Sequence, residues 1–170
     1  MLLMLMFLFI GLHSPKGFNF QIFKPAYRLQ RGRSSNFQIN LALMTSKTPQ
    51  YQQYSFENTL HISPIEAFEL IKCDKAVLLD VREDYETTQG RPDLSRNMLA
   101  IPMSVLLENI DLIPRDKALI VMCAHGIRSV QVVAYLSPFL PEACYNLDGA
   151  FEYWELQGLP VISGNVSEKG

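Results

Sequence analysis

The sequence predicts an α/β domain with a mostly parallel sheet, and three observations support this prediction. From His61 onward, short apolar runs alternate with segments of helical periodicity, which is typical of strands and helices that alternate along the chain. Residues 76–79 and 118–122 are apolar throughout, as expected of strands buried on both faces. The length of 170 residues, with 48% hydrophobic and 19% charged residues, is that of one globular domain.

The first predicted helix begins after Ser63. This serine is a favourable N-cap, Pro64 fits the first helical position, and Glu66 stands where a capping box places an acidic residue. Apolar residues then recur at helical spacing, which gives the helix one face for the core. These residues are Ile65, Phe68, Leu70 and Ile71.

The remaining predicted elements alternate between strands and helices as far as residue 157. They are strand 76–79, a brief strand at 99–101, helix 104–113 before Pro114, strand 118–122, a helix over 129–140 that Pro138 or Pro141 ends, strand 144–147, and helix 150–157 closed by Gly158. Asp80 and Cys123 each directly follow a predicted buried strand. Because ligands bind at the carboxyl edge of open parallel sheets, we expect these two side chains at a functional edge.

The first 50 residues differ from the rest of the chain in charge. They contain six basic residues and no acidic one, whereas the remainder has nine basic and all 17 acidic residues. Residues 1–10 form an unbroken apolar run, which is too short for an ordinary transmembrane helix. No basic residue precedes this run and no A-x-A pattern follows it soon, so it lacks two features of a signal peptide.

We therefore interpret residues 1–56 as an apolar and then basic leader, either disordered or the product of a start assigned upstream of Met44. Residues 45–58 are polar and are predicted to be a flexible lead-in. We place the folded domain at residues 57–163 and a flexible tail at residues 164–170. A start at Met44 predicts a cytoplasmic protein, whereas a genuine targeting segment leaves secretion, membrane anchoring and organellar import open.

The composition also excludes several classes of protein. Three cysteines are too few and too scattered for a disulfide scaffold, and no pair has the close spacing of a zinc knuckle. The formal net charge of -2 gives no reason to expect nucleic acid as a partner. We expect neither a metal nor an organic cofactor.

The residues around Cys123 predict a nucleophilic site. The cysteine follows a strand and opens a short loop that leads into a helix. Backbone N–H groups at a helix start converge on one point, and the helix dipole adds positive potential there, which stabilises a thiolate. We therefore predict Cys123 as a covalent nucleophile. The loop residues predicted to bind the anionic substrate are Ala124, His125, Gly126, Ile127, Arg128 and Ser129.

Two of these loop residues have alternative roles. Arg128 contributes positive charge to the site or forms a structural ion pair, and the ion pair is compatible with a functional role. His125 either acts electrostatically or is simply an exposed loop residue. Asp80 and Arg82 are predicted to brace the loops at the edge of the sheet rather than to take part in chemistry. His61 has no partner that the sequence indicates.

The order of four segments between residues 61 and 161 resembles the rhodanese family. They are residues 78–83 (LLDVRE), residues 123–129 (CAHGIRS, a C-x-x-G-x-R-S loop), residues 146–149 (NLDG) with Trp154, and residues 158–161 (GLPV). The resemblance implies a single-domain, three-layer fold with a central, mostly parallel five-stranded sheet flanked by helices. It also implies a sulfurtransferase that moves a sulfane sulfur from thiosulfate or a persulfide donor to a thiophilic acceptor through a persulfide on Cys123. The acceptor would be a thiol, cyanide or a protein.

Two other functions remain as alternatives. A module of the same fold can relay sulfur from a partner protein, or dock to one, without using free thiosulfate. A small cysteine phosphatase or arsenate reductase is less favoured, because phosphatases of similar fold have a longer loop than the four residues between Cys123 and Arg128. The family's Gly-His-Ile-x-Gly-Ala segment is replaced by a longer one at residues 89–102 that lacks the histidine, which leaves the donor specificity open.

Overall fold

The computed structural model describes residues 45–94 and 96–164. Most of the predicted leader (residues 1–56), Met44 and all of the predicted tail (residues 164–170) except Gly164 lie outside the described residues. Within the described part of the chain, no helix is both long and apolar enough to cross a membrane.

Strands and helices alternate along most of the described chain. The strands are β1 (Thr45–Ser46), β2 (Leu60–Ile62), β3 (Ala76–Asp80), β4 (Gly90–Pro92), β5 (Met98–Ala100), β6 (Ala118–Met122), β7 (Cys144–Leu147) and β8 (Val161–Ser163). The α-helices are α1 (Pro64–Lys72), α2 (Asp84–Thr87), α3 (Ile127–Leu136) and α4 (Ala150–Leu156), and two 3-10 helices cover Met103–Leu112 and Ser137–Phe139.

The main sheet has six strands in the order β1-β2-β7-β6-β3-β5. All neighbouring pairs are parallel except β1 with β2, so the prediction of a mostly parallel sheet is confirmed. The short strand β1 adds an antiparallel sixth strand to the five that were expected. Strands β4 and β8 form a separate antiparallel pair.

The sheet is buried on both faces, which makes the domain three-layered. On one face, Leu78 and Ile120 pack with Leu70 of α1 and Trp154 of α4. On the other face, Leu79, Val121, Val133 of α3 and Leu106 of the longer 3-10 helix share a second cluster. Successive residues of a strand point to opposite faces, so the continuous apolar runs of β3 and β6 supply both clusters.

Several predicted helices differ in type or length from the observed ones. The segment predicted as helix 104–113 is 3-10 helix with a break at Asn109 (φ -117°, ψ 17°), and Leu106 is its one buried residue. A single buried side chain gives little packing energy to favour a regular α-helix. Helix α3 ends at Leu136, just before the turn that contains Pro138, because proline has no backbone N–H to continue the helix.

The prediction of a flexible lead-in over residues 45–58 is wrong for part of this segment. Strand β1 pairs with β2, and the backbone N–H groups of Gln50 and Tyr51 donate hydrogen bonds to the Asp148 carboxylate at 2.6 and 3.2 Å. Polar composition alone suggested flexibility, but these polar groups are fixed by partners far along the chain.

Candidate active site

Cys123 lies at the carboxyl edge of the main sheet, directly after β6. Its side chain is 1% exposed. The sulfur accepts a hydrogen bond from the Gly126 N–H at 3.1 Å and lies 3.3 Å from Ser129 Oγ. The sulfur thus accepts a hydrogen bond from a backbone donor of the loop that leads into α3.

The loop is held by the start of two helices. Gly126 is the N-cap of α3 and has φ of 88°, a left-handed conformation that glycine adopts without the cost paid by other residues. The N–H groups of Phe151 and Glu152 donate to the carbonyls of Cys123 and Ala124 at 3.0 and 3.4 Å. Helix α4 therefore fixes the first half of the loop, and α3 follows its second half.

Arg128 forms an ion pair with Glu86 of α2. Its two terminal nitrogens donate to the two carboxylate oxygens at 2.6 Å each, a bidentate geometry that is typical of strong arginine pairs. The hydrogen bonds from Arg128 lower the pKa of Glu86 from 4.5 to about 2, and Glu86 raises the pKa of Arg128. The structural ion pair, one of the two roles considered for Arg128, is present, and it is compatible with a contribution of positive charge to the site.

This ion pair predicts an acid-dependent part of the stability. Because the folded-state pKa of Glu86 lies below its ordinary value, the stabilisation is complete above about pH 4.5 and is lost as the pH falls towards 2. We expect Glu86→Gln to lower the melting temperature at neutral pH and to lose less stability than the wild type on acidification. Melting curves at a series of pH values measure this.

The control for that prediction is Glu155→Gln, which changes an exposed acidic residue on α4. It should reproduce the wild-type dependence of melting temperature on pH. Parallel pH curves for the wild type and Glu86→Gln would contradict the prediction.

His125 and Ile127 are the exposed members of the loop. The His125 side chain is 74% exposed, and its Nδ1 lies 3.2 Å from a carboxylate oxygen of Glu152. Ile127 is 52% exposed. Neither residue has a hydrogen bond to Cys123 among the described contacts, so the structure places His125 at the rim of the loop rather than against the sulfur.

A buried chain of hydrogen bonds continues from Cys123 into the domain. Ser129 Oγ donates to Asn146 Oδ1 at 2.6 Å, and Asn146 Nδ2 lies 3.0 Å from His61 Nδ1. His61 Nε2 in turn lies 2.8 Å from Ser55 Oγ. Apart from Ser55, every member of this chain is at most 1% exposed.

The protonation of His61 follows from its neighbours. Burial lowers the pKa of His61, and the opposing effect of Asp148 is smaller, so the ring is neutral at neutral pH. Because Asn146 Nδ2 can only donate, His61 Nδ1 is the acceptor and the ring proton lies on Nε2, which donates to Ser55. His61, for which the sequence indicated no partner, is therefore part of this polar chain.

Asp80 and Arg82 form a buried pair beside the site. Arg82 donates from Nε and a terminal nitrogen to the Asp80 carboxylate at 2.7 to 3.1 Å, and it also donates to the Gly90 carbonyl at 3.0 Å. The guanidinium lies 3.9 Å from the ring centre of Phe151. This geometry joins β3, β4 and α4 beside the loop.

The other two cysteines are far less suited to chemistry. Cys73 caps α1 at the surface. Cys144 is buried in β7, and burial raises the pKa of its thiol to about 12. A thiol with so high a pKa is protonated at neutral pH and is a poor nucleophile.

Sequence reasoning missed four polar residues around the site: Gln52, His61, Glu86 and Asn146. One local signal was available for Glu86, because Glu83 and Glu86 have the spacing of a capping box and form one at the start of α2. Asn146 belonged to a segment already singled out, but nothing in the sequence showed that its side chain points towards Ser129. Gln52 lies in the segment that was interpreted as flexible.

The chain belongs to the rhodanese family, since the family model described as Rhodanese-like domain matches residues 63–157. A curated relative, the thiosulfate sulfurtransferase GlpE of Actinobacillus pleuropneumoniae serotype 7, is 30% identical over 105 residues, which cover 62% of this chain and 94% of the relative. The GlpE of Actinobacillus succinogenes is 34% identical over 104 residues, which cover 59% of this chain and 87% of the relative.

A solved structure supports the same assignment. The crystal structure of a rhodanese-related protein from Thermoplasma volcanium has 34% sequence identity and a TM-score of 0.54, and the match covers 60% of this chain and 96% of that protein. The predictions of a rhodanese-like α/β fold and of a rhodanese-type sulfurtransferase are therefore confirmed.

Proposed function

We propose that this protein transfers a sulfane sulfur through a persulfide on Cys123. The donor is thiosulfate or a small persulfide, and the acceptor is a thiol, cyanide or a cysteine of a protein. The observation that carries the proposal is the hydrogen bond from the Gly126 N–H to Cys123 Sγ at 3.1 Å, at the start of α3. A backbone N–H so placed stabilises negative charge on sulfur without itself titrating.

The first half of the reaction is attack on the donor. The Cys123 thiolate attacks the outer sulfur of thiosulfate and forms an S–S bond, while the S–S bond of thiosulfate breaks and sulfite leaves with its electron pair. The terminal sulfur of the resulting persulfide carries negative charge. The loop N–H groups and the positive end of the α3 dipole favour that charge.

The second half of the reaction regenerates the thiolate. A thiolate or cyanide attacks the terminal sulfur of the persulfide, and the S–S bond to Cys123 breaks with its electron pair returning to Sγ. Two displacements at one carrier give ping-pong kinetics. The Gly126 N–H stabilises charge in both displacements, because Cys123 Sγ is negatively charged before the first step and after the second.

The charges and the burial around the loop affect which sulfur donor the site favours. Arg128 and His125 are the cationic candidates of the loop, and each faces a carboxylate, Glu86 and Glu152 respectively. The backbone N–H groups of the loop add positive potential at Cys123 that does not depend on these paired side chains. Because the Cys123 side chain is 1% exposed, a small donor is favoured over a bulky one.

The experiment that tests the proposal is intact mass spectrometry of the reduced full-length chain before and after incubation with thiosulfate. We expect a gain of one sulfur atom, located on Cys123 by peptide mapping and removed by cyanide. Cys73→Ser is the control, since it changes an exposed cysteine outside the site and should keep the gain. A gain from a persulfide but not from thiosulfate would favour the partner-fed relay. Hydrolysis of phosphate esters without any gain would favour the phosphatase.

A further inference from the structure

Residues 50–54, called the strap below, join the active-site loop to β7 and to α4. They precede residues 63–157, which the rhodanese family model matches. Two contacts attach the strap without involving Cys123 or its loop. Gln50 and Tyr51 donate their N–H groups to Asp148, and the Tyr51 ring stacks on Tyr153 with ring centres 4.4 Å apart.

The side-chain amide of Gln52 uses its full hydrogen-bonding capacity. Its Nε2 donates to the carbonyls of Tyr54 and Gly126 at 2.5 and 3.4 Å. Its Oε1 accepts from Asn146 Nδ2 at 3.0 Å and from the Gly149 N–H at 3.2 Å. A primary amide has two donors and two lone pairs, so this one group connects the strap, the loop, β7 and the start of α4.

Gly126 is contacted by Gln52 on one side and by Cys123 on the other. Its carbonyl accepts from Gln52, and its N–H donates to Cys123 Sγ. A Cβ at position 126 would lie 2.2 Å from Gln52 Oε1, a distance at which atoms overlap. The glycine therefore permits both the left-handed turn and the close approach of the Gln52 amide.

Gln52 also contacts the buried chain that ends at Cys123. Its bond with Asn146 Nδ2 orients the Asn146 amide, whose oxygen accepts from Ser129 Oγ. Ser129 Oγ in turn lies 3.3 Å from the Cys123 sulfur. Both polar neighbours of the sulfur, Gly126 and Ser129, are thus held through one side chain of the strap.

We propose that Gln52 is a positioning residue that holds the Gly126 N–H against Cys123 and so increases the reactivity of its sulfur. This inference rests on the proposed role of Cys123 as the sulfur carrier. Its physical reason is that a hydrogen bond stabilises a thiolate only while donor and sulfur stay aligned. Because Asp148 and Tyr153 hold the strap separately, a change at Gln52 leaves the strap attached.

The experiment uses the full-length chain and Gln52→Met, which keeps the length of the side chain and removes all its hydrogen bonds. The readout is the rate at which iodoacetamide alkylates Cys123 at neutral pH, followed by peptide mass spectrometry. We expect a rate about two- to tenfold lower, because without Gln52 the Gly126 N–H is aligned less closely with the sulfur and stabilises its charge less. Gln53→Met changes the exposed neighbouring glutamine and should leave the rate unchanged.

A second variant separates positioning from stability. Gln52→Glu keeps the two acceptor contacts but loses both donors and adds a negative charge. If Gln52 merely stabilises the fold, Gln52→Met should leave the alkylation rate of Cys123 unchanged, and only the charge of Gln52→Glu should lower it. If Gln52 acts on Cys123, both variants should be alkylated more slowly than the wild type, and Gln52→Glu most slowly, because negative charge near the sulfur disfavours the thiolate.

The buried Cys144 reports on general loosening in the same samples. Faster alkylation of Cys144 in Gln52→Met, or an unchanged rate at Cys123, would overturn the positioning role. Slower alkylation of Cys123 with Cys144 unchanged supports it. The failure of the wild type to form a persulfide would instead overturn the proposed function, and the order of alkylation rates would not depend on that result.

Discussion

Cys123→Ser is expected to abolish both persulfide formation and sulfur transfer while leaving the fold intact. The hydroxyl of serine is a far weaker nucleophile than a thiolate, and it cannot form the S–S bond on which both displacements depend. The size of the side chain changes little, and the Gly126 N–H that contacts Sγ can still donate to an oxygen. We expect turnover to fall to the level of the reaction without protein.

The measurement is the rate of thiocyanate formation from thiosulfate and cyanide, with circular dichroism of the same samples to verify the fold. Cys144→Ser is a matched control, because Cys144 is a buried core residue and has no proposed role in sulfur transfer. Its activity per folded molecule should equal that of the wild type. Sulfur transfer by the Cys123→Ser protein would overturn the persulfide mechanism.

Asp80→Ala is expected to produce the largest loss of stability. The side chains of Asp80 and Arg82 are 0% and 3% exposed, and a terminal nitrogen of Arg82 lies 2.7 Å from a carboxylate oxygen of Asp80. Removal of the carboxylate therefore leaves a guanidinium buried without its partner. Breaking a buried ion pair in this way costs about 3–5 kcal/mol. Urea denaturation followed by circular dichroism measures the change in the free energy of unfolding.

Two further variants are compared with Asp80→Ala. Glu69→Ala breaks the exposed pair with Lys72, whose side chains are both 55% exposed, and should change the free energy of unfolding by about 1 kcal/mol or less. The double variant Asp80→Leu with Arg82→Met removes both charges and should be more stable than Asp80→Ala alone, because no charge stays buried. Equal losses for Asp80→Ala and Glu69→Ala would contradict the bracing role.

Much of the fold could be predicted from the sequence because its signals are local. Strands β6 and β7 begin and end at the predicted residues. The Ser63 cap is present too, with Ser63 Oγ accepting from the Glu66 N–H at 3.3 Å. Strand β2 was missed because three residues with a histidine in the middle show no apolar run, and its stability comes from pairing with β7.

The position of Cys123 after a buried strand and before a helix was determined by the sequence itself. A continuous apolar run, a loop with a glycine and a helix start are all encoded within a few residues, so this succession can be read from the local sequence. The family resemblance rests on the same local segments.

The partners of the site were decided by the tertiary structure alone. Glu86 pairs with Arg128, which is 42 residues further along the chain, and Gln52 forms a hydrogen bond with Asn146, which is 94 residues further along. Such pairs depend on the order of the strands, which places β7 next to β6 and brings Asn146 level with Val121, two residues before Cys123. The sequence shows that Gln52, His61 and Glu86 are polar but not which partners they contact. The energy of a hydrogen bond depends on which groups folding brings together.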